Sequence, residues 1–230
     1  MTYGKNYAMT IPTKSDIMYI SHYGGFAMLA NYKKTRDAAW ELLLRHRIRE
    51  LPVDLMRICR KEKLYLFPYS RHTAEIERLG LLQHAEGNDA FCLSSGMIFY
   101  NDNMGEGRQR FSIAHEIGHL VLHADRVTVC NRTPSATEDD PKETEANMLA
   151  ARLLAPAIVL ERIGVQSPEE IAELCHISLE AATWRFKRLQ LLRERDEQFR
   201  NERGYSCFGM APLERMVEKQ FSAYIAKHKR

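Results

Sequence analysis

Apolar residues recur every three or four positions along much of the chain, a spacing that predicts amphipathic helices. The stretches with this pattern are 35–49, 53–62, 110–123, 141–154, 168–175, 178–197 and 212–228. Thr35 is a candidate N-cap for the first stretch, and Pro52 and Pro156 lie just beyond the ends of two others. The pattern therefore predicts a mainly helical protein.

Three short apolar segments lack the three-to-four spacing of a helix and predict strands. Residues 63–69 alternate up to Pro68, and residues 90–93 and 97–100 flank the turn Ser94-Ser95-Gly96 as a hairpin. A polar loop at 101–107 follows. A few short strands among many helices predict an α+β fold, with a small, mostly antiparallel sheet packed on several helices.

The same pattern divides the chain into four parts. Residues 1–34 show no clear period, and we interpret them as an N-terminal arm. Residues 35–165 contain the strands and the strongest helix patterns and form the predicted core domain. Residues 166–197 predict two helices joined by a short turn, and 198–230 predict a polar linker (198–211) followed by a C-terminal helix.

Composition narrows the class of protein. The chain has 230 residues, 45% of them hydrophobic and 27% charged, which excludes a disordered chain or a fibre. No apolar run approaches the roughly 20 residues that span a bilayer, and we expect neither a membrane anchor nor a signal peptide. The net charge of +3 indicates a mixed surface, and the five cysteines form no C-x-x-C pair. We therefore expect a cytoplasmic protein with reduced thiols.

The strongest chemical signal is His115-Glu116-Ile117-Gly118-His119, an H-E-x-x-H motif within a predicted helix. Histidines four apart lie on one face of a helix, so both imidazoles can reach one metal ion. Glu116 is placed to act as general base on a water molecule. Because apolar residues surround the motif, leaving these polar groups unpaired would be costly. We predict one zinc ion per chain, with manganese as an alternative.

The third metal ligand has several candidates. Glu143 lies on the next predicted helix, and Asn147, four residues later, would share its face and could orient a histidine. Glu145 points about 200° away from Glu143 on the helical wheel. His123 lies one turn beyond His119, where a role outside the ligand set is the better interpretation, and Asp125 would require the helix to end early. Glu143 is the favoured ligand.

A strand directly before the motif helix has a candidate role of its own. Met97, Ile98, Phe99 and Tyr100 could bind an extended peptide if this strand were an exposed sheet edge. An ordinary half-buried strand is the alternative. Tyr100 or another tyrosine could stabilise an oxyanion.

Three motifs in order resemble the ImmA/IrrE family of metallo-endopeptidases. They are residues 108–120, with the H-E-x-x-H motif, then Glu143-Thr144-Glu145-Ala146-Asn147, then Leu153-Leu154-Ala155-Pro156. The resemblance implies a gluzincin-like zinc peptidase core in which His115, His119 and Glu143 bind the metal and Glu116 is the base. It also implies hydrolysis of helix-turn-helix repressors, an anti-repressor activity that derepresses phage, mobile-element or stress genes. Ala155 departs from the larger residue often found in the family, which concerns packing only.

The two predicted helices at 166–197 carry a competing signal. A helix, a short turn and a helix with Arg185, Lys187 and Arg188 could present a recognition helix to DNA. Acidic residues such as Glu173 and Glu180 lie where the phosphate backbone would be, and Trp184 and Phe186 favour packing. We do not expect direct DNA binding. The alternative function is a metal-containing regulator that binds a partner or DNA without proteolysis.

Overall fold

The computed structural model describes residues 31–123, 129–130 and 140–229. Most of the predicted N-terminal arm and the candidate ligand Asp125 lie outside the described residues. The helices of the described residues are α1 (Tyr32–Arg45), α2 (Leu55–Glu62), α3 (Tyr69–Arg78), α4 (Leu82–Gly87), α5 (Glu106–His123), α6 (Pro141–Leu154), α7 (Ala157–Ile163), α8 (Pro168–Cys175), α9 (Leu179–Arg203), α10 (Pro212–Gln220) and α11 (Ser222–His228).

Four short strands form one mixed sheet. They are β1 (Tyr65–Pro68), β2 (Ala90–Leu93), β3 (Met97–Tyr100) and β4 (Val129–Cys130), in the spatial order β1-β3-β2-β4. The β2–β3 hairpin and the β2–β4 pair are antiparallel, whereas β1 pairs with β3 in parallel. This confirms the predicted α+β fold with a small, mostly antiparallel sheet.

The sheet separates two hydrophobic clusters, because successive residues of a strand face opposite sides. Phe91 and Phe99 stack on each other on one face, with ring centroids 5.0 Å apart, in a small cluster with Ile76 of α3. Cys92 and Ile98 face the other side and join the main core under α5. The two faces therefore hold the hairpin between α3 and the motif helix.

Helices α5 and α6 pack against each other at very short range. A Cβ added to Gly118 would lie 3.0 Å from Cα and 3.1 Å from the carbonyl oxygen of Ala146. Only a glycine lets the two backbones approach this closely without displacement. The close approach brings residues 115–119 and 143–147 face to face, which is what positions the candidate site.

Local caps explain where several helices begin. Asp140 accepts a hydrogen bond from Lys142 N before α6, and Ser167 accepts one from Glu170 N before α8; in both helices proline is the first residue. Helix α1 begins earlier than expected, because Asn31 is its N-cap, not Thr35. Thr35 is buried inside the helix, where its hydroxyl donates to the carbonyl of Asn31.

The C-terminal third packs on the core more closely than the predicted linker suggested. Helix α9 continues to Arg203 and is capped by Gly204, so residues 198–203 of the predicted linker are helical. The predicted helix at 212–228 is two helices, because the chain turns at Phe221, whose ring is fully buried. Gln220 donates to the carbonyls of Leu43 and Ile48. No helix in the described part of the chain is long and apolar enough to cross a membrane.

Candidate metal centre

Three side chains from α5 and α6 converge on one point. His115 and His119 lie one turn apart on α5, with their Nε2 atoms 2.9 Å apart. Glu143, in the first turn of α6, places Oε2 at 3.2 Å from Nε2 of His115 and Oε1 at 3.1 Å from Nε2 of His119. Among the described residues, these three form the group of histidine and carboxylate side chains that could hold a metal ion.

Asn147 determines which nitrogen of His115 faces this point. Its Oδ1 lies 2.8 Å from Nδ1 of His115. A carbonyl oxygen only accepts, so Nδ1 carries the proton and donates it. In the neutral imidazole, Nε2 then presents a lone pair toward His119 and Glu143. This is the orientation that a metal-binding histidine needs.

The electrostatics of the three side chains favour a cation between them. The lone pair of His115 Nε2 and the carboxylate of Glu143 face each other at 3.2 Å, an unfavourable contact unless a proton or a metal ion lies between. Burial raises the pKa of Glu143, but the two histidines outweigh it and hold that pKa well below its usual range. Burial lowers the pKa of His115, but Glu143 and Glu116 outweigh it and raise that pKa.

The donor set fits zinc. Two imidazole nitrogens and one carboxylate are ligands that zinc accepts, with a fourth position left for water. Zinc ligands at about 2.0–2.1 Å in a tetrahedron lie about 3.3–3.4 Å from one another. The observed separations of 2.9–3.2 Å are close to that spacing. His115, His119 and Glu143 would therefore bind zinc after small side-chain movements.

Glu116 is buried beside the metal ligands, with 5% of its surface exposed. Burial raises the pKa of its carboxyl group, and the histidines and a hydrogen bond with Cys92 counteract this only in part. Its Oε2 atom is buried and has no hydrogen-bond partner among the described residues. A carboxylate in these surroundings is suited to accept a proton from a nearby group.

His123 and Glu145 form a second pair: His123 lies one turn after His119 on α5, and Glu145 lies two residues after Glu143 on α6. Nε2 of His123 lies 3.5 Å from Oε2 of Glu145, and the backbone N–H of Asn31 donates to Oε1 of Glu145 at 2.8 Å. The structure therefore places Glu145 against the start of α1, away from His115 and His119. His123 lies beside His119, with ring centroids 6.0 Å apart, and burial lowers its pKa.

The strand predicted to bind an extended peptide is not an exposed sheet edge. Residues Met97–Tyr100 form β3, which pairs with β1 on one side and β2 on the other. Both edges of β3 are occupied, so an extended peptide has no free backbone groups there to pair with. The hairpin pattern indicated the β2 partner, but the parallel pairing with β1 connects residues about 30 positions apart and leaves no local signal.

The helix-turn-helix-like segment also differs from expectation. Arg185 is buried and donates from Nε to the carbonyl of Ala155 at 2.6 Å, so it does not face solvent. Trp184, expected to pack, is instead 59% exposed, with Nζ of Lys187 4.9 Å from its ring centroid. The sequence analysis gave no role to Cys92, which is completely buried in the same hydrophobic cluster as Ile117 of α5 and counteracts the rise in the pKa of Glu116.

Comparison with known proteins supports a metal-binding function for this site. A family model described as Peptidase_M78, the IrrE N-terminal-like domain, matches residues 61–187, more than half of the chain. Metallopeptidase ImmA of Bacillus subtilis (strain 168) is 31% identical over 101 residues, which cover 44% of this chain and 53% of ImmA. The chain thus matches about half the length of this curated relative. The ImmA/IrrE resemblance of the three motifs is confirmed, and the chain belongs to the Peptidase_M78 family of metallopeptidases with the IrrE N-terminal-like domain.

Proposed function

We propose that the protein is a zinc-dependent endopeptidase that cleaves a helix-turn-helix transcriptional repressor. The observation that carries the proposal is the convergence of His115, His119 and Glu143 beside the buried carboxylate of Glu116. A structural helix pair has no reason to bury two histidines and two glutamates at one point. Metal binding and proton transfer give each of these four groups a role.

The chain's own residues have distinct tasks in peptide hydrolysis. His115, His119 and Glu143 hold the ion, and Asn147 fixes the tautomer of His115. When bound, zinc acts as a Lewis acid and lowers the pKa of a coordinated water to about 7. Glu116 accepts the proton of the attacking water and delivers it to the leaving amine, so that one carboxylate acts as base and then as acid.

A repressor protein in the cytoplasm is the proposed substrate. The family resemblance supports this class, and the burial of Arg185 argues against reading DNA with α9. The exposed ring of Trp184 beside Lys187 is more suited to contact with a protein, since aromatic residues are enriched at protein interfaces. Cleavage would inactivate the repressor and release transcription of its genes.

The experiment uses purified wild-type protein and Glu116→Gln, each loaded with zinc and mixed with the helix-turn-helix repressors encoded beside its gene. We expect the wild type to cleave one of them. Glu116→Gln should retain zinc and bind the repressor but cut it at least 100-fold more slowly, about the contribution of a general base. If Glu116→Gln relieves repression as fully as wild type, the protein acts by binding alone and the peptidase proposal fails.

A further inference from the structure

We propose that the solvent side of α2 is a docking surface for an acidic, partly apolar segment of the protein substrate. This inference rests on the proposed peptidase function and adds a place outside the metal centre where the substrate binds. Four exposed side chains define the surface, which we call the basic face: Met56, Arg57, Arg60 and Lys61.

Positive charge is concentrated around α2 rather than spread over the protein. Residues 45–63 contain seven basic and three acidic residues, a net charge of +4, whereas the whole chain has a net charge of +3. The other 211 residues therefore carry a net charge of −1. The mixed surface that the net charge of the chain indicates is not found in this region.

The sequence of α2 separates apolar core contacts from basic side chains. Leu55, Ile58 and Cys59 are buried in the main core on one side of the helix. At about 100° per residue, the four residues of the basic face cover about 140° on the other side. All four are exposed, and Met56 has 55% of its surface accessible. The helix therefore presents three positive charges and one large apolar side chain to solvent.

The acidic residues nearby have other partners, so the basic face keeps its charge. Asp54 is the N-cap of α2 and accepts a hydrogen bond from the backbone N–H of Arg57. Glu62 accepts a hydrogen bond from Arg45 at 3.0 Å and lies 2.6 Å from Nε2 of His46. Among the described residues, the three basic side chains of the face form no ion pair. Their charge is available to a partner.

The length of α2 favours a protein partner over nucleic acid. A helix of eight residues is about 12 Å long, and one strand of DNA presents about three to four phosphates over that distance. Binding to the DNA backbone typically involves about 6–10 phosphates. Met56 would also have no apolar counterpart on a phosphate backbone, whereas methionine and arginine are both enriched at protein interfaces.

Charge complementarity specifies the chemistry of this partner. Arg57 and Arg60 suit carboxylates, because a guanidinium group binds a carboxylate with two parallel hydrogen bonds. Met56 suits an apolar side chain, because a flexible thioether adapts to irregular surfaces. An amphipathic segment that combines glutamate or aspartate with leucine or a similar residue supplies both kinds of contact.

The position of α2 suits a docking surface for a substrate of the metal centre. Arg110 of α5 donates from Nη2 to the carbonyl of Val53 at 2.8 Å, just before α2 begins. Arg110 lies five residues before His115, about 7.5 Å along the helix axis. A protein domain docked on α2 would therefore lie close to the metal ligands.

The proposal is tested with two variants that remove the same charges from different helices. Each variant replaces two exposed arginines and one exposed lysine by alanine, the best helix former. They are the α2 variant, Arg57→Ala/Arg60→Ala/Lys61→Ala, and the α9 variant, Lys187→Ala/Arg195→Ala/Arg203→Ala. Unchanged far-ultraviolet circular dichroism confirms that both are folded.

Binding is measured first, with probes that do not depend on catalysis. Fluorescence anisotropy of the zinc-loaded protein at low salt compares a labelled amphipathic peptide of glutamate and leucine with a labelled DNA duplex of about one helical turn. We expect the peptide to bind wild type and the α9 variant equally well. The α2 variant should bind it about tenfold more weakly, because three exposed ion pairs are lost.

Three results would overturn the proposal. Tighter binding of the DNA duplex than of the acidic peptide would assign the basic face to nucleic acid. Equal weakening in the α2 and α9 variants would mean that the peptide responds to net charge alone. No binding of the peptide to wild type, or full binding to the α2 variant, would show that α2 has no docking role.

A second measurement connects the surface to the substrate. On a cleaved repressor, the α2 variant should raise KM about tenfold and leave kcat unchanged, because docking is lost while the metal centre is intact. On a short peptide that spans only the cleavage site, it should match wild type. Unchanged KM on the repressor would overturn the docking role. If no repressor is cleaved but the acidic peptide still requires the basic face, the peptidase function fails and the docking surface remains.

Discussion

Helices α5 and α6 carry two rows of histidine and glutamate side chains, and the two rows make different contacts. In the first, His115, His119 and Glu143 bring their donor atoms within 3.2 Å of one another. In the second, His123 and Glu145 are 3.5 Å apart, and Glu145 also accepts the backbone N–H of Asn31. The residue types are the same, but only the first row offers three converging donors.

The difference shows that convergence, not composition, makes a metal site. Glu143 faces the imidazoles of His115 and His119. The hydrogen bond with Asn147 orients the imidazole of His115 so that its Nε2 faces Glu143. Glu145 lies two residues later and therefore on another side of α6, where the start of α1 supplies a backbone donor. A backbone N–H satisfies a carboxylate without any ion. The second row thus fixes the entry of the chain into α1, whereas the first row needs a cation.

Replacing each glutamate in turn is the most direct test of the difference between the two rows. We expect wild-type protein to purify with about one zinc per chain and Glu143→Ala to purify with almost none, because two histidines alone bind zinc weakly. Glu145→Ala should keep its zinc. Zinc per chain, measured by mass spectrometry of the metal in protein purified without chelator, checks both variants.

The stability of Glu145→Ala shows whether a loss of zinc could result from a loss of folding. Glu145→Ala should cost about 1–2 kcal/mol of unfolding free energy, since Asn31 N–H loses its acceptor. A Glu145→Ala protein that is folded but free of zinc would show that the second row belongs to the site and would contradict the comparison.

A smaller effect is expected at Asn147, which orients a ligand without being one. Asn147→Leu removes the acceptor for Nδ1 of His115, and we expect zinc affinity to fall about 10–100-fold. Asn147→Asp keeps an acceptor and should bind zinc at least as tightly as wild type. Competition against a chromogenic chelator measures both affinities. Equal affinity in Asn147→Leu and wild type would mean that His115 needs no orienting partner.

Sequence patterns predicted the elements that have strong local signals. The helix at 141–154 was expected with the bounds observed, because Asp140 and Pro141 mark its start. Helices α3 and α4 were not predicted: neither has a side-chain N-cap, and α3 is kinked at His72. The start of α5 was placed four residues late, because Glu106 and Gly107 lie in a stretch of loop-forming residues.

In the candidate site, too, the features that sequence predicted are those with a local signal. The spacing of His115 and His119 is local, and the offset between Glu143 and Glu145 is a property of one helix, so sequence alone favoured Glu143. Pairings across the sheet are not local. An exposed edge was therefore expected at β3, which the structure places inside the sheet between β1 and β2.

Asp196 provides a third kind of buried carboxylate, one that is satisfied by protein donors alone. It is 2% exposed and accepts hydrogen bonds from Ser206 Oγ at 2.8 Å and Cys207 N at 2.6 Å, beside Arg200. Burial raises its pKa, but these donors outweigh it and lower the pKa to about 2 from the ordinary 3.8. We expect Asp196→Asn to lose about 2 kcal/mol of unfolding free energy at pH 7.

The pH dependence follows from that lowered pKa. The stabilisation by Asp196 is complete above about pH 5, where the carboxyl is ionised in both the folded and the unfolded state, and is lost as the pH falls toward 2. The difference in stability between wild type and Asp196→Asn should therefore shrink between pH 4 and pH 2, as measured by urea unfolding in the presence of chelator. Asp37→Asn, at a surface ion pair with Lys33, should cost less than about 1 kcal/mol. A constant difference from pH 7 to pH 2 would contradict the assignment.

The smallest effect concerns the contact that brings the two rows together. Gly118→Ala would place a Cβ 3.0 Å from Cα of Ala146, an overpacking that costs about 1–3 kcal/mol. Alanine regains about 1 kcal/mol as the better helix former, so we expect a net loss of about 1 kcal/mol. Zinc affinity should fall as well, because α5 and α6 must separate by a few tenths of an ångström.

A second glycine of α5 tests whether that fall in affinity is specific. A Cβ on Gly107 would lie 2.5 Å from Ser178 N, at the turn between α8 and α9, so Gly107→Ala should lose more stability than Gly118→Ala. Gly107 lies eight residues before His115 on α5, and the atoms nearest to its added Cβ belong to Ile177 and Ser178, so zinc affinity should be retained. Weaker zinc binding in both variants would mean that affinity follows overall stability. Weaker binding in Gly118→Ala alone would show that the spacing of α5 and α6 sets the metal site.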